Sequence, residues 1–218
     1  MYNTILAAIA SGASGLNEIA TKTGEDTKKC AKYVKTMLDL RMLRKEVPLG
    51  EKAERNSLYS LSDNMFRFWY RFVPENMTNI EAGMGPIVLE RRVLPAIPNY
   101  MGRVFEDACI QYIVRRNKNL SLPILFDEIG RWWGNNPMLR RQEGIDFIAR
   151  TGDAAVFGEC KWRNDPMGRD ALDSPIAASR VLAKYRERHY MLFVLQVGFH
   201  RGAEGRSSAA RKRGARGA

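Results

Sequence analysis

Three charged residues lie within a segment that otherwise reads as two buried β-strands. The segment GIDFIARTGDAAVFGECKW, residues 144–162, has Asp146 in its first apolar run and Glu159 and Lys161 in its second. Because successive side chains of a strand point to opposite faces, Glu159 and Lys161 share one face of the second strand. Charged residues are rarely buried unless they are paired or functional, so these three require a chemical explanation.

The turn at RTGD decides whether Asp146 joins the other two charges. With an even loop length, we expect Arg150 to pair with Asp153. Counting outward then places Asp146 opposite Phe157, with Glu159 as its diagonal neighbour on the same face. An odd loop length would turn Asp146 to the other face and break the site.

Asp146 and Glu159 are suited to hold a divalent cation. Two adjacent carboxylates repel each other unless a cation lies between them. Their oxygens, with waters and a substrate phosphate, form a ligand set that Mg²⁺ (or Mn²⁺) accepts. Lys161 would orient or deprotonate a water, or offset the charge of the transition state. Such a site would cleave a phosphodiester by metal-assisted hydrolysis.

An ion pair on a solvated strand face is the competing interpretation of the same three residues. Three features favour the metal site: flanking runs that read as buried strands, a basic chain, and Glu106 on a separate predicted helix. Both interpretations stay open on the residues alone.

The quoted segments resemble a known nuclease superfamily. GIDFIA…FGECKW is similar to the core of the PD-(D/E)xK superfamily, with Asp146 as its acidic residue and Glu159-Cys160-Lys161 as its ExK motif. The resemblance implies that the preceding helix supplies a further acid, and Glu106 in RVFEDACI matches that position. It also implies an α/β domain of the restriction-endonuclease type in which the three acids are the metal ligands.

A wider stretch resembles the C-terminal half of a family of P-loop ATPases widespread in archaea and also found in bacteria. The likeness covers residues 2 to about 199 and includes SLYSLSDNMFRFWYRFVPEN, GRVFEDAC and IGRWWGNNP. In that family a winged helix and a PD-(D/E)xK-like domain follow an AAA-type ATPase module. No GxxxxGK[ST] occurs in this sequence, so we expect no ATP binding by this chain. A separately encoded ATPase, or a second copy of the chain, is an expected protein partner.

Residues 1–62 are predicted to form a winged helix-turn-helix. Three helical patterns, YNTILAAIASG, GLNEIATKTG and EDTKKCAKYVKTMLDLRML, precede two extended runs joined by a charged loop. This is the element order of a fold whose third helix enters the major groove of DNA. The third helix is predicted to pack through Ala31, Val34 and Leu38.

The opposite face of that helix is cationic and is the candidate surface for DNA phosphates. It carries Lys28, Lys32 and Lys35 within about 60° of one another. A simply solvated helix face is the alternative, and winged helices also serve as protein-interaction modules.

The rest of the chain is predicted to form an aromatic-rich connector over residues 63–99 and an α/β domain over residues 100–199. In the connector, the stripe FRFWYRF either stacks on bases or buries its rings between domains. In the domain, a helix that packs through Phe105, Cys109, Tyr112 and Ile113 precedes strands, a helix near 171–186 and the strand HYMLFVL. Between them, LPILFDEIGRWWGNN is predicted to be extended at first and then irregular over its Trp/Gly/Asn part.

The net charge of the 218-residue chain is +11, which makes a polyanion such as DNA the first partner to consider. Residues 200–218 are a basic low-complexity tail, read either as a disordered nucleic-acid-binding segment or as a frameshift product. Three widely spaced cysteines without a CxxC pair fit a reducing cytosol. No apolar run is long enough to span a bilayer, and no signal peptide is recognisable, so we expect a cytoplasmic protein without membrane contact.

Two functions therefore compete. One is a Mg²⁺-dependent DNA nuclease in which Asp146, Glu159 and Glu106 hold the metal and Lys161 assists the water. The other is a non-catalytic DNA-binding or regulatory module that retains the fold but does not catalyse phosphodiester hydrolysis.

Overall fold

A computed structural model describes residues 1–51, 56–137, 140–163 and 173–196 of the chain. The predicted tail at 200–218, and the first two residues of the helix predicted near 171–186, lie outside these ranges. Within them the protein is a mixed α and β structure, as predicted. No helix in the described ranges is both long and apolar enough to cross a bilayer.

The N-terminal part has the predicted order of three helices and a two-stranded antiparallel sheet. Its elements are α1 (Tyr2–Ala10), α2 (Leu16–Thr23), α3 (Thr27–Asp39), β1 (Leu43–Glu46) and β2 (Leu58–Leu61). The winged helix-turn-helix assignment and its DNA-binding role stay predictions.

Helix α3 begins where Asp26 caps it, because the Asp26 carboxylate accepts hydrogen bonds from the backbone N–H groups of Lys28 and Lys29. Its buried stripe differs from the predicted one. The fully buried side chains are Cys30, Val34 and Met37, whereas Ala31 and Leu38 are only half-buried. The buried face of α3 is rotated by about one residue relative to the predicted face, because contacts with α1, α2 and β1 decide which side of the helix faces inward.

Helical turns occupy most of the predicted connector. They comprise α4 (Asn64–Phe72), a 3₁₀ turn (Pro74–Asn76), α5 (Met77–Glu81), α6 (Gly85–Val88), a π turn (Leu89–Val93), a second 3₁₀ turn (Leu94–Ala96) and the long α7 (Ile97–Lys118). Buried Phe72, Val88, Val93 and Tyr100 hold these turns together as a small core. The segment is therefore a packed helical layer rather than a linker.

Helix α4 buries only part of its aromatic stripe. Phe68 and Phe72 pack against Tyr100, whereas Phe66 and Trp69 are 50% and 44% exposed. The helix period explains this split, since residues 68 and 72 lie one turn apart on one face. The aromatic stripe is therefore only partly buried. Stacking of the exposed rings on bases stays a prediction.

A four-stranded mixed sheet follows α7. Its strands are β3 (Glu128–Asn136), β4 (Arg141–Thr151), β5 (Ala154–Arg163) and β6 (Glu187–Gln196), and α8 (Asp173–Ser179) connects β5 to β6. The strand order is β3-β4-β5-β6; the first three are antiparallel, and β6 is parallel to β5. The Trp/Gly/Asn segment predicted to be irregular lies within strand β3.

The sheet has one apolar cluster on each face. On one face α7 contributes Cys109 and Ile113 to a cluster with Phe147 and Val156. On the other, α8 contributes Ala178 to a cluster with Ile148 and Phe157. Of the helix residues predicted to be buried, Cys109 and Ile113 are buried, but Tyr112 is 46% exposed.

The register of the β4–β5 hairpin differs from the predicted register by two residues. Thr151 pairs with Ala154, Arg150 with Ala155, and Ile148 with Phe157. The loop therefore has two central residues, Gly152 and Asp153, and Gly152 adopts a positive φ of 53° that glycine accepts without strain. The pairs Arg150–Asp153 and Asp146–Phe157, expected for an even loop, are wrong, although the loop length is even.

Candidate functional site

A β-bulge displaces Asp146 from regular strand alternation. Gly130 of β3 pairs with Ile148 of β4, and Trp132 pairs with Ile145. Between these pairs, one residue of β3, Arg131, therefore lies opposite two residues of β4. A bulge of this kind re-aims a side chain and ends regular alternation. Regular alternation would place Asp146 on the same face of β4 as Ile148, and the bulge interrupts that alternation.

The Asp146 carboxylate lies against the ExK motif of β5. Its Oδ2 atom accepts a hydrogen bond of 2.7 Å from the backbone N–H of Cys160. Burial raises the pKa of Asp146, and the negative charge of Glu159 raises it further, while the Cys160 N–H and Lys161 act in the opposite direction. Asp146 therefore lies close enough to Glu159 for that negative charge to disfavour ionisation of Asp146.

Glu159 and Lys161 form an ion pair on the same strand. Only 7% of the Glu159 side chain is exposed, compared with 30% of the Lys161 side chain. The ammonium group thus reaches solvent beside an otherwise enclosed carboxylate. The alternation that predicted a shared face for these two residues agrees with this contact.

Glu106 joins the site electrostatically but is held by arginines. Burial raises the pKa of its carboxyl, and the Asp146 charge raises it further. Its Oε2 atom accepts hydrogen bonds from Arg131 at 3.1 Å and from Arg103 at 3.2 Å. The predicted supporting acid is therefore near Asp146 and at the same time paired with two guanidinium groups.

Arg131 is the centre of an ion-pair network that sequence reasoning missed. Its side chain is 9% exposed and contacts Glu46 of β1 as well as Glu106 and Asp107 of α7. Burial alone would raise the pKa of Asp107, but hydrogen bonds from Arg131 and Arg44 outweigh burial and lower it.

The donor set fits a cation held by two carboxylates better than one held by three. Within the described ranges, no three His, Cys, Asp or Glu side chains are grouped as a metal site would require. Asp146 and Glu159 remain a suitable pair, because Mg²⁺ is commonly held by one or two carboxylates with waters and substrate phosphates. Their mutual repulsion is what a bound cation would relieve.

Two buried cysteines flank the same region. Cys109 on α7 and Cys160 on β5 belong to the same apolar cluster between helix and sheet. Their interaction lowers the pKa of the Cys109 thiol and, together with burial, raises that of the Cys160 thiol. Both are free thiols.

The candidate DNA-binding lysines are exposed on α3. The side chains of Lys28, Lys32 and Lys35 all face solvent. Their neighbour Lys29 forms an ion pair with Glu25 at 2.8 Å. Among the described residues none of the three candidate lysines is ion-paired, so their charges are available to a polyanion.

Comparison with known proteins points to a family without an assigned function. Residues 69–173 match the model of DUF234, a family described as archaea bacterial proteins of unknown function. The matched region runs from α4 through the ExK motif and so includes Asp146, Glu159, Lys161 and Glu106. No solved structure matches the chain.

A longer relative is known from Methanocaldococcus jannaschii. The chain is 31% identical to this protein, named uncharacterized protein MJECL04, over 166 residues, which are 75% of the chain and 36% of the relative. The chain thus spans little more than a third of the relative's length. The predicted likeness to archaeal and bacterial proteins is supported, and the finer resemblance to P-loop ATPases and to nucleases stays a prediction.

Proposed function

We propose that this chain is a DNA-binding protein whose sheet carries a Mg²⁺-dependent site for phosphodiester hydrolysis. The observation that carries the proposal is the grouping of Asp146, Glu159 and Lys161 at the bulged end of the β4–β5 hairpin. The buried Glu159 and the half-buried Asp146, whose pKa is raised by burial and by the Glu159 charge, are costly for a structural core. Such a cost is typical of a functional site.

Each residue has a distinct role in the proposed site. Asp146 and Glu159 would hold Mg²⁺, which would supply charge neutralisation at the phosphate and a more acidic water. Lys161, as an ammonium group, would orient that water or stabilise charge on the phosphate oxygens. Glu106, tied to Arg131 and Arg103, would act as a positioning residue through its charge on Asp146.

A non-catalytic DNA-binding or regulatory module is the second candidate. The hydrogen bonds that Glu106 accepts from Arg131 and Arg103 favour it, because they occupy the acid expected to complete the metal site. In this alternative the hairpin charges are internal ion pairs, and binding through α3 is the whole function.

Cleavage and metal binding by the purified chain distinguish the two candidates. We expect supercoiled plasmid to be nicked or cut with Mg²⁺ or Mn²⁺, and the rate to fall at least about 100-fold in Asp146→Asn and Lys161→Met. ATP should leave the rate unchanged. In parallel, Mg²⁺ should raise the unfolding temperature of the wild type but not of Asp146→Asn, since a ligand stabilises only the state that binds it.

Asp39→Asn is the matched control, because Asp39 is an exposed aspartate at the end of α3. Cleavage that survives in Asp146→Asn would reveal a contaminating nuclease. Absence of cleavage and of metal stabilisation, with DNA binding retained, would establish the non-catalytic module instead.

A further inference from the structure

A cavity of about 310 Å³ lies between the N-terminal helices and the helical layer. The α1–α2 loop, β2, α4 and the start of α7 form its walls, and it is remote in sequence from the hairpin charges. Its lining includes three arginines, Arg67, Arg71 and Arg103, one carboxylate, Glu46, and the polar groups of Ser14 and Asn99. A volume of this size is at the lower end of small-molecule binding sites.

Arg67 is held rigidly at the cavity wall. Its guanidinium carbon lies 4.3 Å from the centre of the Tyr100 ring, and its Nη2 donates a hydrogen bond of 2.5 Å to the Tyr100 carbonyl oxygen. Burial lowers the pKa of Arg67 from its usual value, so the positive charge is partly desolvated. The Asp107 charge opposes this shift, but no carboxylate is ion-paired with Arg67 among the described residues, so an anion in the cavity would offset the remaining desolvation cost.

Arg71 lies one turn further along α4, on the same face. It donates long hydrogen bonds to the Ala10 carbonyl oxygen at 3.4 Å and to Asn99 Oδ1 at 3.3 Å. These contacts use two of the five N–H donors of the guanidinium group. In the described part of the chain, neither Arg67 nor Arg71 forms an ion pair with a carboxylate.

The third arginine provides an internal comparison. Arg103 donates to Glu46 at 2.5 Å and to Glu106 at 3.2 Å, so carboxylates balance its charge. The arginines at the β1–α7–β3 junction are therefore compensated, whereas the two from α4 are not. The cavity consequently carries an excess of positive charge presented by two planar groups with free donors.

We infer that this cavity binds a phosphate group through Arg67 and Arg71. Guanidinium groups bind phosphate oxygens through paired N–H donors, and two of them on one helix face match a dianion. The phosphate would belong either to a small phosphate ester, which the cavity can enclose, or to the backbone of a nucleic acid. The proposed phosphate site is separate from the proposed metal site, because its binding residues, Arg67 and Arg71, do not include Asp146, Glu159 or Lys161.

Calorimetric titration of the full chain with inorganic phosphate at low ionic strength tests the inference. We expect saturable binding by the wild type and an affinity at least about tenfold lower in Arg71→Gln, since a charged hydrogen bond contributes roughly that factor. Arg71→Lys should lose less phosphate affinity, because lysine keeps the positive charge but lacks the paired N–H donors of the guanidinium group. Arg115→Gln on the exposed side of α7 is the matched control and should bind like the wild type.

Two further titrations identify the source of the phosphate. If the ligand is a small ester, glycerol 3-phosphate should bind more tightly than inorganic phosphate, and duplex DNA affinity should not change in Arg71→Gln. If it is a nucleic-acid backbone, DNA affinity should fall in Arg71→Gln, and phosphate should compete with DNA. Absence of saturable phosphate binding, or equal weakening in Arg115→Gln, would overturn the inference, and circular dichroism verifies that each variant is folded.

Discussion

At the scale of single residues, the most informative group is the Asp146 carboxyl. Burial and the Glu159 charge raise its pKa above the ordinary value of 3.8. The folded protein therefore keeps this proton to a higher pH than the unfolded chain does. Its contribution to stability must fall as pH rises between the unfolded and folded pKa values, and the loss is complete above the folded pKa.

Asp146→Asn should therefore be more stable than the wild type at about pH 7, by on the order of 1 kcal/mol. The asparagine removes the charge and keeps an oxygen that can accept from the Cys160 N–H. Urea unfolding in EDTA at a series of pH values measures the difference, which should shrink as the pH falls from the folded pKa to the ordinary carboxyl pKa and vanish below it. A variant that is less stable at neutral pH, or a difference that does not depend on pH, would contradict this prediction.

At the scale of elements, the β4–β5 hairpin is locked by one close approach. Gly158 pairs with Phe147, whose fully buried ring covers the glycine. A Cβ added at Gly158 would lie 1.9 Å from Phe147 Cε1 and 2.0 Å from Cζ. Because Phe147 sits just after Asp146 in the bulge, this contact helps to hold the carboxylate in place beside the Cys160 N–H.

Gly158→Ala should destabilise the fold by about 2–4 kcal/mol, because the buried ring has no free space into which it can move. Equilibrium unfolding measures this loss. Gly144→Ala in β4 is the matched control: its Cβ would meet only the Trp132 carbonyl oxygen at 3.7 Å, an ordinary contact. Phe147→Leu combined with Gly158→Ala should recover part of the loss, and the absence of any recovery would show that the Phe147 ring is not the cause.

At the scale of the whole molecule, a charge network joins the parts of the chain. Arg131 of β3 connects to Glu46 of β1 and to Asp107 of α7, and Arg44 reaches Asp107 at 2.6 Å. The Leu49 N–H also donates to the Arg131 carbonyl oxygen at 2.8 Å. These contacts attach the predicted DNA-binding unit, residues 1–62, to the sheet. A DNA duplex bound to α3 would therefore be held by a unit that is packed against the sheet with the hairpin charges.

Replacing Lys28, Lys32 and Lys35 together by glutamine should weaken DNA binding and reduce its salt dependence. If each lysine contacts a phosphate, the slope of log affinity against log salt should become less steep by about 3. Fluorescence anisotropy of a labelled duplex across a salt series measures the slope. The triple replacement of Arg91, Arg115 and Lys118, all exposed elsewhere, is the charge-matched control, and an equal effect in both variants would leave α3 with no special role.

Local patterns in the sequence were sufficient to predict much of the fold. The order of three helices and a hairpin, the buried residues Ile5, Leu6 and Ile9 of α1, and the two-strand reading around RTGD all follow from hydrophobic periodicity and from a glycine in a short turn. These features depend on residues that are close along the chain. The same holds for the Glu159–Lys161 pair, since two residues of separation in a strand bring both side chains to one face.

Only the tertiary structure decided how the candidate site is assembled. The bulge opposite Arg131, the ion pair of Glu106 with Arg131 and the choice of which α4 rings are buried arise from contacts between segments far apart in sequence. For an even turn, pattern counting placed the register two residues away from the observed one, because register depends on packing on both faces of the sheet. The sequence alone thus determined which charged residues are present and their local order, and the packing of α7 against the bulged sheet determined which of them act on one another.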